Sequence, residues 1–344
     1  VRLGTVTKKG HGALILDRFG PRWALLSAVP LFLSSIGALI TEFSGIAGVG
    51  MLFGLPAWLT VSIAAIGLIT LGLSHSYARV ERIGILVGLL ELAFIPAVIL
   101  AHPQWHAIVW QTAHTPWTNS SFEFLLAANV GAVIMPWMIF YQQGAVIDKK
   151  LTPQAMHVAR KDTMIGAVMT QFLMMSVIAA VAATIGREHP GASLQTVGQI
   201  AQGLAPFLGG WGAKLIFGIG ILGAALIAAI VSSVAGAWGI AEVFRWQHSL
   251  NDEWKRAKAF YWTYSLAHII GALLVIFSVD LVGLTVDVEV MNAMLLPIVL
   301  GFLLVLEATA LPPTYRMHGV YKWIVWSVSG VIMLFGLSMI PLLW

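Results

Sequence analysis

The run Ala128–Lys150, ANVGAVIMPWMIFYQQGAVIDKK, is apolar for most of its length yet carries a proline at its centre. Ala132 and Met135 stand just ahead of that proline, Pro136, in an Ala-x-x-Met-Pro sequence. A proline inside a helix has no amide hydrogen to give, so the carbonyl four residues back, that of Ala132, loses its helical donor. In hydrocarbon such a carbonyl needs a partner from protein, water or an ion. Interrupted helices of this kind build ion sites near the bilayer midplane, where unwound carbonyls face a cavity. The run reads as a broken membrane helix that forms half of a cation site.

The rest of the chain agrees with a membrane setting. Hydrophobic residues make up 59% of the 344 residues and charged residues only 10%, with a mean hydropathy of +0.88. A soluble domain carries about 25% charged residues. There is no cysteine, which excludes disulfides and thiolate metal ligands. The net charge of +4 does not point to nucleic acid, because the basic residues sit between apolar runs. No cleavable signal sequence is visible; a polar, basic stretch with Lys8, Lys9, Arg18 and Arg22 precedes the first apolar run.

Windows of about 20 apolar residues suffice to cross the hydrocarbon core. Nine are expected, at 23–44, 50–73, 83–102, 124–147, 162–186, 213–243, 259–281, 284–310 and 321–343. The sixth exceeds one straight crossing, and only Asp280 to Gly283 separates the seventh from the eighth. The basic residues support this division. Arg2, Lys8, Lys9, Arg18, Arg22, Arg79, Arg82, Lys149, Lys150, Arg160, Lys161, Arg245, Lys255, Arg256, Lys258, Arg316 and Lys322 fall in alternate loops, leaving only Arg187 and Lys214 for the other side. The positive-inside rule then places the amino end in the cytoplasm and the carboxyl end outside. The segment 103–122, without Lys or Arg, is expected to be an outer loop.

At this level the chain resembles the Nramp family of divalent-metal transporters. The resemblance rests on the Met-Pro-centred span, the basic loop before Trp23 and the order of segments. It implies an all-α membrane protein with a LeuT-type inverted-repeat fold, whose metal site lies between an Asp-Pro-Gly-x-Asn break in the first helix and an Ala-x-x-Met-Pro-His break in the sixth. No Asp-Pro-Gly sequence occurs here, so the nine spans match the third to eleventh family helices, and the chain is expected to be truncated at its amino end. The expected organisation is a single membrane domain over 1–344. It comprises a cytoplasmic basic segment (1–22), the remainder of a first repeat (23–102), the outer loop (103–122), a second repeat (123–310) and an additional helix (321–343).

Three departures from the family pattern bear on mechanism. Trp137 stands where the family has His after Met-Pro; Leu39 stands where it has an Asp three residues before Glu42; and the ninth family helix lacks its adjacent arginines, offering only His268. Those groups are associated with proton movement in the family, and a relay of ionisable side chains is what proton passage through a membrane requires. Their loss implies transport without proton coupling, as in the Nramp-related magnesium transporters of bacteria.

The expected metal-site residues are Ala132, Met135, Glu289 and Asn292. Ala132 either offers its carbonyl to a cation or is a small residue that lets helices pack. Met135 aligns with the family's metal-binding Met; its soft thioether suits transition metals better than Mg²⁺, and its other reading is a flexible core residue. Glu289, in TVDVEVMNAMLLP, is an ionisable residue inside a span, set against an interfacial reading beside Asp287. Asn292 follows on nearly the same helical face. Glu42, Trp137, Gln142 and Gln143 are assigned to the pathway; for Glu42 an interfacial role, and for the two Gln a packing role, stand beside that assignment.

No enzymatic constellation such as His-Glu-x-x-His is present, so an enzyme is not expected. The expected partners are the lipid bilayer of a bacterial or archaeal cell and a divalent cation, Mg²⁺ or Mn²⁺, as substrate; no cofactor, nucleic acid or protein partner is implied. The other readings are a proton-coupled Mn²⁺/Fe²⁺ importer, an amino-acid permease of the same fold, and a non-functional fragment.

Overall fold

A computed structural model describes residues 1–117, 119–188, 199 and 210–340. The described residues form helices joined by short turns, with no strand among them. In chain order they are α1 (Arg2–Thr7), α2 (His11–Phe19), α3 (Pro21–Leu52), α4 (Ala57–Gly72), α5 (Tyr77–Gly88), α6 (Phe94–Leu100), α7 (Trp105–Ala113), α8 (Ser120–Val133), α9 (Pro136–Asp148), α10 (Met156–Glu188), α11 (Gly210–Val243), α12 (Lys258–Phe277), α13 (Leu281–Ala310) and α14 (Gly319–Ser338). Among the described residues, eight helical segments are long and apolar enough to cross a membrane. They match eight of the nine expected windows; the remaining window, 50–73, holds the shorter apolar α4 of 16 residues.

Two boundaries differ from expectation. α3 runs on to Leu52, so Glu42 lies ten residues before the helix end, about 15 Å along the axis. The expected outer loop 103–122 contains the nine-residue α7 and the first residues of α8, while Thr118 lies outside the described residues. The end of the last window, 341–343, likewise lies outside them. The boundary between the seventh and eighth windows is sharp for a local reason. Asp280 caps α13 by accepting the Gly283 amide at 2.9 Å, which satisfies a free donor at the helix start. The long sixth window is confirmed as one helix of 34 residues, about 51 Å, well beyond the hydrocarbon thickness.

α3 and α11 pack along each other at the centre, with α12 and α13 against α3 and α8 against α13. Small residues allow this approach: a Cβ added at Gly236 of α11 would meet the Ser35 side chain at 2.7 Å, and one at Gly271 of α12 would meet Leu39 at 2.9 Å. The outer faces are apolar and exposed, as on α10 (Val158, Ile165, Val168, Met175) and α14 (Val320, Ile324, Val331, Leu334). Such surfaces suit lipid. The interior carries buried polar residues instead, among them Ser34, Ser35, Gln143, His268, Glu289 and Asn292.

All five basic loops gather at one end of the bundle. Arg2 donates to the Tyr315 carbonyl at 3.1 Å, and Lys8 donates to that of Leu151. His75 Nδ1 lies 3.0 Å from the Asp252 carbonyl, and the Leu250 amide donates to Asp148 at 3.3 Å. Arg245 reaches Asp17 at 3.4 Å. The alternation of charge along the chain is therefore an alternation in space.

Candidate cation site

The Met-Pro sequence breaks its span as the chemistry requires. α8 ends at Val133, Ile134 (φ −124°, ψ 78°) and Met135 (φ −80°, ψ 141°) leave the helical conformation, and α9 restarts at Pro136. Proline fits the first turn of a helix because its missing amide would have no intrahelical partner there. The same residue that denies a donor to Ala132 thus begins the second half-helix.

A close backbone contact fixes what faces this break. A Cβ built on Gly131 would lie 1.7 Å from the Glu289 carbonyl oxygen and 3.0 Å from the Ala293 nitrogen, so only glycine lets α8 and α13 meet here. The contact sets the Glu289–Asn292 turn of α13 one residue from Ala132. Glu289 is 5% exposed and Asn292 is fully buried, so both face the protein interior and not lipid or water. Both carboxylate oxygens have donors: Thr41 Oγ1 at 3.3 Å to Oε1, and Asn292 Nδ2 at 3.0 Å to Oε2. The Asn292 carbonyl oxygen, buried as well, has no hydrogen-bond partner among the described residues. An unmet buried acceptor is costly, and it is the hard oxygen type that Mg²⁺ or Mn²⁺ takes.

Met135 is 6% exposed and Trp137 4%, both within a cluster that includes Leu31, Ala38, Phe140, Ala235 and Val299. The Trp137 indole N–H donates to the Met135 sulfur at 2.9 Å. Trp137 is thus enclosed by side chains and not set along an open path. Ala132, Gln142 and Gln143 line a cavity of about 1250 Å³ that continues to Lys149 and Arg160 at the basic end. Gln142 lies 3.5 Å from the Thr163 hydroxyl, and Gln143 donates to the Lys9 carbonyl at 2.7 Å. Met135, Glu289 and Asn292 do not line that cavity. Ala132 thus follows the Gly131 contact with the Glu289–Asn292 turn and faces the cavity, Met135 lies in the buried cluster with Trp137, Glu42 is next to Thr41 on α3, and the two glutamines extend toward the basic end.

Sequence reading missed Thr41, whose hydroxyl holds Glu289, and the stripe to which it belongs. Ser27, Ser34 and Thr41 recur every seven residues on α3, so they share one face; that spacing was the available signal. Also missed was the buried pair at the basic end. Glu242 of α11 accepts the Gly12 amide at 2.9 Å at the start of α2, beside His11. His11 contacts Phe140 edge-on with ring centroids 4.7 Å apart, and burial, opposed by the nearby Gln143 side chain, pushes its imidazole down to about 4.

Among the described residues no group of three or more His, Asp or Glu side chains is arranged to hold a metal ion. The available donors are of mixed kind: a carbonyl, a thioether, one carboxylate and one amide oxygen.

A bundle of apolar crossing helices with one interrupted beside a buried carboxylate is the architecture of a membrane ion carrier. The family model described as "Natural resistance-associated macrophage protein-like", Nramp, matches residues 1–341, and the chain belongs to that family, one of metal transporters and not of enzymes. It is 25% identical over 252 residues to the divalent metal cation transporter MntH of Acidiphilium cryptum, covering 68% of this chain and 56% of that protein. With MntH of Agrobacterium fabrum it shares 27% over 209 residues, covering 57% and 45%. The chain spans about half the length of these curated relatives. Its fold is that of the Eremococcus coleocola manganese transporter solved with an aromatic bis-isothiourea compound. The TM-score is 0.75 at 18% identity, over 98% of this chain and 75% of that one.

Proposed function

We propose that this protein carries a divalent cation, Mg²⁺ or Mn²⁺, across the cytoplasmic membrane by alternating access, with its amino end in the cytoplasm and without coupling to protons. The observation that carries the reading is the close contact of Gly131, three residues before the unwound Ile134–Met135 segment, with the buried Glu289–Asn292 turn. The Ala132 carbonyl, the Glu289 carboxylate and the Asn292 oxygen supply hard donors, and water completes the shell of a cation that dehydrates reluctantly. The Eremococcus coleocola protein is a manganese transporter and the MntH relatives are divalent metal cation transporters, which favours the same class of cargo. The cavity from Ala132 to Lys149 supplies an exit toward the cytoplasm, with Gln142 and Gln143 on its wall.

Met135→Ala combined with Glu289→Gln should abolish uptake of Mn²⁺ and Mg²⁺ by cells expressing the whole protein at normal levels. Unchanged uptake in that double variant would overturn the site. The absence of coupling has a separate test. In liposomes holding a pH dye, Mn²⁺ influx should leave the lumenal pH flat, whereas acidification in step with influx contradicts it.

A further inference from the structure

We infer that Trp137 sets the ion preference of the site through its hydrogen bond to Met135; this rests on the reading of Met135 as a cation ligand. The indole N–H is a donor with no acceptor capacity, and in a water-poor interior it must find a partner. It finds the Met135 sulfur at 2.9 Å, with both side chains buried. The ring lies in one buried cluster with Leu31, Phe140 and Val299, which limits its freedom to turn the donor away from the sulfur.

A thioether binds a metal by giving a sulfur lone pair, and it is the donor in this set that favours soft and borderline cations. A lone pair engaged by an N–H is a weaker donor to a cation. The loss falls on an ion that draws affinity from sulfur, such as Cd²⁺ and to a smaller degree Mn²⁺. Mg²⁺ takes oxygen ligands and keeps its waters, so it loses little. Trp137 is thus a positioning residue that acts through Met135 and hardens the site without removing the methionine.

The test is competition in liposomes containing the whole protein, with Mg²⁺ uptake measured against added Cd²⁺. Trp137→Phe keeps an aromatic ring and removes the donor, with part of the indole's volume. It should strengthen Cd²⁺ inhibition relative to Mg²⁺ affinity by about 3- to 10-fold, the scale of one net hydrogen bond. Trp137→Leu, should the Phe variant fold poorly, should move the ratio the same way. In a Met135→Ala background neither substitution should change it, because the coupling runs through the sulfur. An unchanged Cd²⁺/Mg²⁺ ratio in both Trp137 variants overturns the inference, and so does an equal shift in the Met135→Ala background. If Met135→Ala alone leaves Cd²⁺ inhibition untouched, the assignment of Met135 to the site fails and the inference fails with it.

Discussion

Glu289 is held by donors on both carboxylate oxygens, and one of them comes from another helix. Thr41 Oγ1 reaches across from α3 at 3.3 Å, while Asn292 works from within α13. Removing the α3 donor should loosen the carboxylate without disturbing its own helix. Thr41→Val is expected to weaken the concentration dependence of uptake about 3- to 10-fold, as loss of one hydrogen bond would, and Thr41→Ser to restore it. Equal uptake curves for Thr41→Val and the parent would remove Thr41 from the site. His11 gives a stability prediction of definite sign. Its folded value, about 4, lies below the ordinary 6.5, so the unfolded chain takes up the proton first. His11 therefore costs nothing above pH 6.5, and stability falls as pH drops from 6.5 toward 4, by about 3 kcal/mol when complete. Gln143 is the polar side chain that faces it, with Glu242 against the neighbouring Gly10 and Gly12. His11→Leu should flatten the fall in melting temperature between pH 6.5 and 5, a window above most carboxylate titrations; parallel curves for parent and variant would refute the burial cost.

Between helices, the site depends on how closely α8 approaches α13. Gly131 is the contact point, since a methyl group there would overlap the Glu289 carbonyl. Gly131→Ala must push the helices apart, which should lower thermal stability by about 1–3 kcal/mol as overpacking does and abolish transport. Gly301→Ala, in open space on the same α13, serves as the control and should be neutral. If Gly131→Ala transports normally, the α8–α13 contact does not shape the site. The break itself was legible in the sequence because proline acts locally: Pro136 dictates the loss of a donor whatever surrounds it. The crossing helices were legible because hydropathy and length decide them. What escaped was set by packing between distant segments. Nothing in LITEFSG says that Thr41 will face residue 289, and Gly131 looks like any other small residue of a membrane helix until α13 is laid against it. The true length of α3 was also hidden, because Ile46–Leu52 continues the helix through a stretch that reads equally well as the start of the next span.

Taken whole, the molecule is an apolar belt with one heavily basic end. Lys8 to Leu151, Arg2 to Tyr315, His75 to Asp252 and Arg245 to Asp17 join the basic loops into one face. Charge in short loops orients a membrane protein because basic residues resist translocation, so this face should be cytoplasmic. The sequence has no cysteine, and any introduced one is therefore a unique reporter. His106 in α7 and Lys255 before α12 are both exposed, and three crossing segments among the described residues separate them, so they are expected on opposite sides. In intact cells a membrane-impermeant maleimide should label His106→Cys and leave Lys255→Cys unreacted. Permeabilised cells should show labelling of both. The opposite pattern would invert the protein, and the cavity from Ala132 to Lys149 would then open outward, making it an entrance for the ion and not its exit. Labelling of both residues in intact cells would instead break the count of crossings between them, and with it the placement of the interrupted span that carries Met135 and Pro136.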